Sequence, residues 1–364
     1  MPDGPGLRLA RDYYTEVIGP ILAAEGIRHD AGLIGAGSEV LGFDTERSAD
    51  HDFGARCLIF VSEAEPARCE SAHAEDGGVG ADSAHIQAAR ATIEARIPEG
   101  FRGFTTRLPR DQGRSSTVVT TVGRWSRAAL GVDASMPLST LDWVGIPTQL
   151  LAEATAGAVF HEDLGALSAM RHQLAFYPDD LWRYALTGQW RRIGQEEHLL
   201  ERTGEVGDDL GSALLAGRLV RDLVRLTLLL RRHYPPYAKW LGSAFARLPD
   251  AAALGPALTG ALHAVRWQER EEHLCHAYAY LAVLTNETGL AEPLEPTVRG
   301  FYDRPFRVIG GDRFAAALTA AITDPAVATL PPVGTVDAFV DSTDVLARAD
   351  RSRAVTHALA TVAP

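Results

Sequence analysis

Asp50 and Asp52 flank His51 at the head of a mostly apolar run that ends Cys57-Leu58-Ile59-Phe60-Val61. Side chains alternate along a strand, so this spacing predicts two carboxylates on one face of a strand from Asp52 to Val61. Neighbouring carboxylates repel unless positive charge stands between them, and hard oxygen ligands favour Mg²⁺ or Mn²⁺. Eleven residues separate Asp50 from Gly37-Ser38, a turn whose N–H groups and hydroxyl suit a phosphate. Gly37 would let the backbone approach that phosphate closely, and Ser38 would bond one of its oxygens. Asp50 and Asp52 are therefore expected to be the catalytic carboxylates and metal ligands of a site for a metal-bound nucleoside triphosphate. The competing reading is a pair of loop acids that cap a turn or meet an arginine. His51 should point to the opposite face and is read as structural. Asp44 to Ser48 form the preceding turn, where Arg47 or Ser48 either touches the triphosphate or faces water.

Gly37-Ser38, eleven residues and then Asp50-His51-Asp52 resembles the signature of the polymerase-beta-like nucleotidyltransferases. In that superfamily a Gly-Ser or Gly-Gly pair opens a helix and two acids lie on the next strand. The wider segment GSEVLGFDTERSADHDFG looks like a branch of stand-alone bacterial members with a long helical C-terminal region. Trp182-Arg183-Tyr184, Gln195-Glu196-Glu197, Tyr237-Ala238-Lys239-Trp240 and Asp341-Ser342-Thr343-Asp344 also fit that branch. The resemblance implies an α+β fold, with an N-terminal nucleotidyltransferase-type mixed sheet and helices followed by a mainly helical C-terminal domain. It implies Mg²⁺-dependent transfer of a nucleoside monophosphate from an NTP, ATP being the one expected, to a hydroxyl of a small-molecule acceptor. The superfamily also supplies a third carboxylate from a later strand. Here the strand expected to carry it, Thr117 to Val122, holds no acid. Asp142 and Asp163 are the nearest alternatives, although Asp142 also suits a helix N-terminus and Asp163 a loop-ordering turn.

The helical half offers further candidates. Arg218, Asp222 and Arg225 can share one helix face, with Asp222 able to pair with either arginine; Arg221 adds positive charge, and this side lines a cleft or faces water. Lys239 is the one lysine in a chain whose other basic residues are arginine. It resembles the lysine by which aminoglycoside-modifying members reach the triphosphate from the helical domain. Tyr237 and Trp240 could stack on a base or belong to the core. Nucleotide binding is thus expected from Gly37, Ser38, Lys239, Tyr237 and Arg218. Glu196 or Glu197 would either bind a cationic acceptor, replace the missing base, or sit on a solvated helix face. His273 and His276 are three apart on one helix, but no third zinc ligand accompanies them.

Periodicity predicts the helices and strands around these groups. A helix is predicted over 7–24, kinked or split at Gly19-Pro20 and closed by Gly26. A short apolar run, Ala31 to Ile34, leads into the glycine-rich turn, and Ser38 to Leu41 should start a short helix. Residues 64–83 read as a surface insertion and Ser83 as the cap of a helix running to Ile97. Thr117 to Val122 is β-branched and reads as a strand, followed by a helix near 141–154 and a last strand at Ala158 to Phe160. Helices are then expected over 179–201, 208–234, 239–248, 256–285 and 313–322. The expected domains are 1–165, nucleotidyltransferase-like; 166–290, helical and cleft-closing; and 291–364, an extension packed on the helical part.

The net charge is −12, from 35 basic and 47 acidic residues, which argues against a nucleic-acid partner and favours a neutral or cationic acceptor. No stretch reaches the roughly 20 apolar residues that span a bilayer, so no membrane partner is expected. Cys57, Cys69 and Cys275 have no paired spacing and read as reduced thiols of a cytoplasmic protein. A homodimer is left open. Two rival functions keep the motif but change the outcome: adenylylation of a protein side chain, or a non-catalytic nucleotide-binding regulator.

Overall fold

The computed structural model describes residues 4–45, 54–63, 84–108 and 114–361. The chain is mixed α and β, mostly helical with a small mixed sheet, and divides into two compact units. The first comprises residues 1–138 and 153–175, the second residues 139–152 and 176–364. Among the described residues no helix is long and apolar enough to cross a membrane.

Four strands make the sheet of the first unit: β1 (Asp30–Leu33), β2 (Cys57–Phe60), β3 (Thr117–Thr120) and β4 (Ala158–Glu162). Their order is β3-β2-β1-β4, with β2 parallel to β3 and β1 antiparallel to both β2 and β4. Alternation buries Cys57 and Ile59 beneath Tyr13, Ile18, Leu22, Ile86 and Ile93, so the N-terminal helix and the helix Ala84–Arg96 cover one face. β3 stops at Thr120 rather than Val122, because Thr121 caps a helix over Val122–Leu130 by accepting the Arg124 N–H.

The N-terminal helix begins at Pro5, where a missing N–H is no loss. It runs Pro5–Tyr13, widens into a π turn at Tyr14–Ile18 and continues over Gly19–Ala24. The expected kink at Gly19-Pro20 takes this form: Pro20 has no N–H to donate, and the Gly19 N–H reaches five residues back to the Tyr14 carbonyl. Gly26 closes the helix with a positive φ of 64°.

In the second unit the long helices are Asp179–Glu196, Asp209–Leu230, Ala251–His263 and Trp267–Glu287. Two expected helices are broken. Residues 179–201 split at Glu197, which is buried and accepts the N–H groups of Ile309, Gly310 and Gly311 at the start of the helix Gly311–Ala320. Residues 256–285 split around Ala264, and Trp267 then packs against Gly204. Residues 291–361 supply further helices to the same unit, including Ala349–Ala360, which packs on Thr140–Gly145.

Candidate functional site

The Gly37-Ser38 corner follows β1. Antiparallel pairing sets Asp30 opposite Phe60 and Gly32 opposite Leu58, so the end of β1 lies beside the start of β2. Arg56, just before β2, ties the two together. Its Nη2 donates to the Ala36 carbonyl at 2.8 Å and its Nε to Glu39 Oε1 at 3.0 Å, while Glu39 is buried. Gly37 has φ +146°, and a Cβ there would come within 2.7 Å of the Arg56 guanidinium and the Glu39 carboxylate. Glycine is required on both counts. The helix expected from Ser38 is only a turn, closed by the Phe43 N–H on the Ser38 carbonyl at 2.8 Å. Asp50, His51 and Asp52, like Arg47, Ser48 and Cys69, lie outside the described residues. Asp44 is described and accepts the Gly6 N–H at 2.9 Å.

Of the two alternatives for a third carboxylate, Asp142 belongs to the second unit and Asp163 to the first. Asp142 completes a capping box with Ser139 and pairs with Arg353 at 2.6 Å, so its work is structural. Asp163 follows β4, beside His29 and thus at the opposite end of β1 from Gly37. β3 contributes threonines and valines, as its sequence indicates.

In the second unit the arginine face is neutralised. Arg218 is bound in a fork by Glu196, Arg221 meets Asp341 at 2.7 Å and Arg225 meets Asp337 at 3.7 Å. Asp222 pairs with Arg192 at 3.0 Å rather than with either expected arginine. Glu197 is not on a solvated face, and the His273 ring packs against Gly260. Lys239 is exposed, its Nζ 4.6 Å from the centre of the Trp240 ring, and Tyr237 is partly exposed at the start of the helix Ala238–Phe245. Cys57 and Cys275 are buried free thiols, and burial pushes each up to about 12.

A second constellation was not anticipated. His29, His161 and Asp163 offer ligand atoms all within 4.8 Å of one another. His29 is buried just before β1; His161 pairs with Ala31 across the β1–β4 ladder. His161 Nε2 lies 3.0 Å from Asp163 Oδ2. His29 Nε2 lies 2.9 Å from the Tyr14 hydroxyl and its Nδ1 2.8 Å from the Ile27 carbonyl. The group opens on a cleft of about 520 Å³ lined also by Pro20, Gly26 and Phe160. Burial holds the His29 imidazole below its ordinary pKa, whereas the His161 hydrogen bond lowers that of Asp163.

A family model described as Domain of unknown function (DUF4037) matches residues 143–241. The match takes in Arg218, Tyr237 and Lys239 and leaves out Gly37, Ser38, Asp50 and Asp52. No curated protein and no solved structure matches the chain.

Proposed function

We propose that the protein is a Mg²⁺-dependent nucleotidyltransferase acting on a small-molecule hydroxyl. One observation carries the reading: the antiparallel register brings the Gly37-Ser38 turn beside the start of β2, the strand that Asp50 and Asp52 precede in sequence. Arg56, bridging the Ala36 carbonyl and the Glu39 carboxylate, fixes the same corner. In this reading the turn would bind a terminal phosphate, and Asp50 and Asp52 would hold Mg²⁺, which would neutralise charge on the polyphosphate. The acceptor oxygen bonds to the α-phosphorus as the α–β bridging P–O bond breaks; pyrophosphate leaves and the hydroxyl proton is released. Lys239, Tyr237 and Arg218 are kept as nucleotide contacts from the sequence reading alone, and Arg218 would first have to leave Glu196.

The test is to incubate the protein with each labelled NTP, Mg²⁺ and a metabolite extract. A labelled small molecule with release of pyrophosphate is the expected product. Label on protein would replace this reading with adenylylation, and saturable binding without turnover with a nucleotide sensor. Asp50→Ala with Asp52→Ala should abolish Mg²⁺-dependent NTP binding, and unchanged binding in a folded double variant would overturn the proposal.

A further inference from the structure

We propose that the first unit carries a separate transition-metal centre of the zinc class, with His29, His161 and Asp163 as ligands. Two imidazole nitrogens and one carboxylate oxygen form a ligand set suited to Zn²⁺ rather than to Mg²⁺, which prefers oxygen alone. Tetrahedral ligands about 2.0–2.2 Å from zinc stand roughly 3.3–3.5 Å apart. The His161–Asp163 separation of 3.0 Å is already close to that, and the 4.8 Å limit on the set leaves little side-chain movement to complete it.

The surrounding hydrogen bonds orient the ligands. The Ile27 carbonyl takes the Nδ1–H of His29, which leaves Nε2 as its lone-pair atom. A carbonyl behind a histidine commonly fixes a ligand in this way. The Tyr14 hydroxyl then occupies the Nε2 lone pair as donor, the place a metal would take. One backbone and one side-chain hydrogen bond clamp the two chain segments together: the Asp163 N–H reaches the His29 carbonyl at 3.1 Å, and Arg28 Nη2 reaches the Asp163 carbonyl at 2.7 Å. Three protein ligands beside an open cleft leave the fourth position for water or a small anionic ligand. The site lies at the other end of β1 from Gly37-Ser38 and does not depend on the nucleotide reading.

The decisive experiment uses the full chain bearing Asp50→Ala and Asp52→Ala, stripped with chelator and titrated with Zn²⁺ and, for its spectrum, Co²⁺. One equivalent should bind, with the visible absorption of tetrahedral Co²⁺. His161→Ala and Asp163→Asn, both at partly exposed side chains, should each keep the fold by circular dichroism. Each should weaken binding at least tenfold, since losing even an outer partner costs on the order of 10–100-fold. No stoichiometric binding, or binding of equal strength in both variants, would overturn the site.

Discussion

At the scale of single residues, Gly37 and Glu201 show how local physics decides a role. Gly37→Ala adds a methyl group against Arg56 and Glu39 in a conformation that costs of order 1–3 kcal/mol to hold. We expect it to lower nucleotide affinity and the melting temperature together, whereas Lys239→Ala, at an exposed side chain, should weaken NTP binding with an unchanged melting curve. Glu201 is buried with Oε2 unpaired, and desolvation, reinforced by Glu271 and Glu197, pushes its carboxyl up to about 8. The folded state therefore holds this proton more tightly than the unfolded state, whose value is near the ordinary 4.5. Its stabilising contribution is full below about 4.5, declines as pH rises and is lost above about 8. Glu201→Gln should flatten the fall in melting temperature between these pH values; a variant that falls as steeply as the parent would refute the assignment. None of this is visible in sequence, because Glu201 becomes a buried acid only once its helix packs on Trp267–Glu287. His29 and Asp163, 134 residues apart, likewise meet only through strand pairing.

At the scale of elements, periodicity located most helices, and the errors share a cause. The breaks at Glu197 and Ala264 answer to tertiary partners: backbone N–H groups at 309–311 in one case, and the seating of Trp267 against Gly204 in the other. The α+β character was legible because β-branched and alternating patterns report burial directly, although the strand expected from Asp52 begins only at Cys57. The partners of the helix arginines, Glu196, Asp337 and Asp341, come from elsewhere in the chain, and spacing along the helix does not show them. Asp142 belongs to this scale too, as it closes a capping box and anchors Arg353. Asp142→Ala should cost about 1–2 kcal/mol in denaturant unfolding, from the lost cap and the charge-assisted bond. A loss within error of zero would mean that the cap contributes nothing.

At the scale of the whole molecule, the excess of acid disfavours contact with a polyanion. With a net charge of −12, the chain should not be retained on duplex DNA at about 0.15 M salt, and measurable salt-dependent retention would reveal a local basic face. Both compact units are discontinuous in sequence, and this has a consequence during synthesis. The helix Thr140–Gly145 leaves the ribosome well before its packing partner, Ala349–Ala360, which is encoded about 200 residues later. At about 5–20 residues per second, the early segment waits some 10–40 s for that helix. Asp142 and Gly145 meet Arg353 only after that interval, so slow translation should lower the soluble yield.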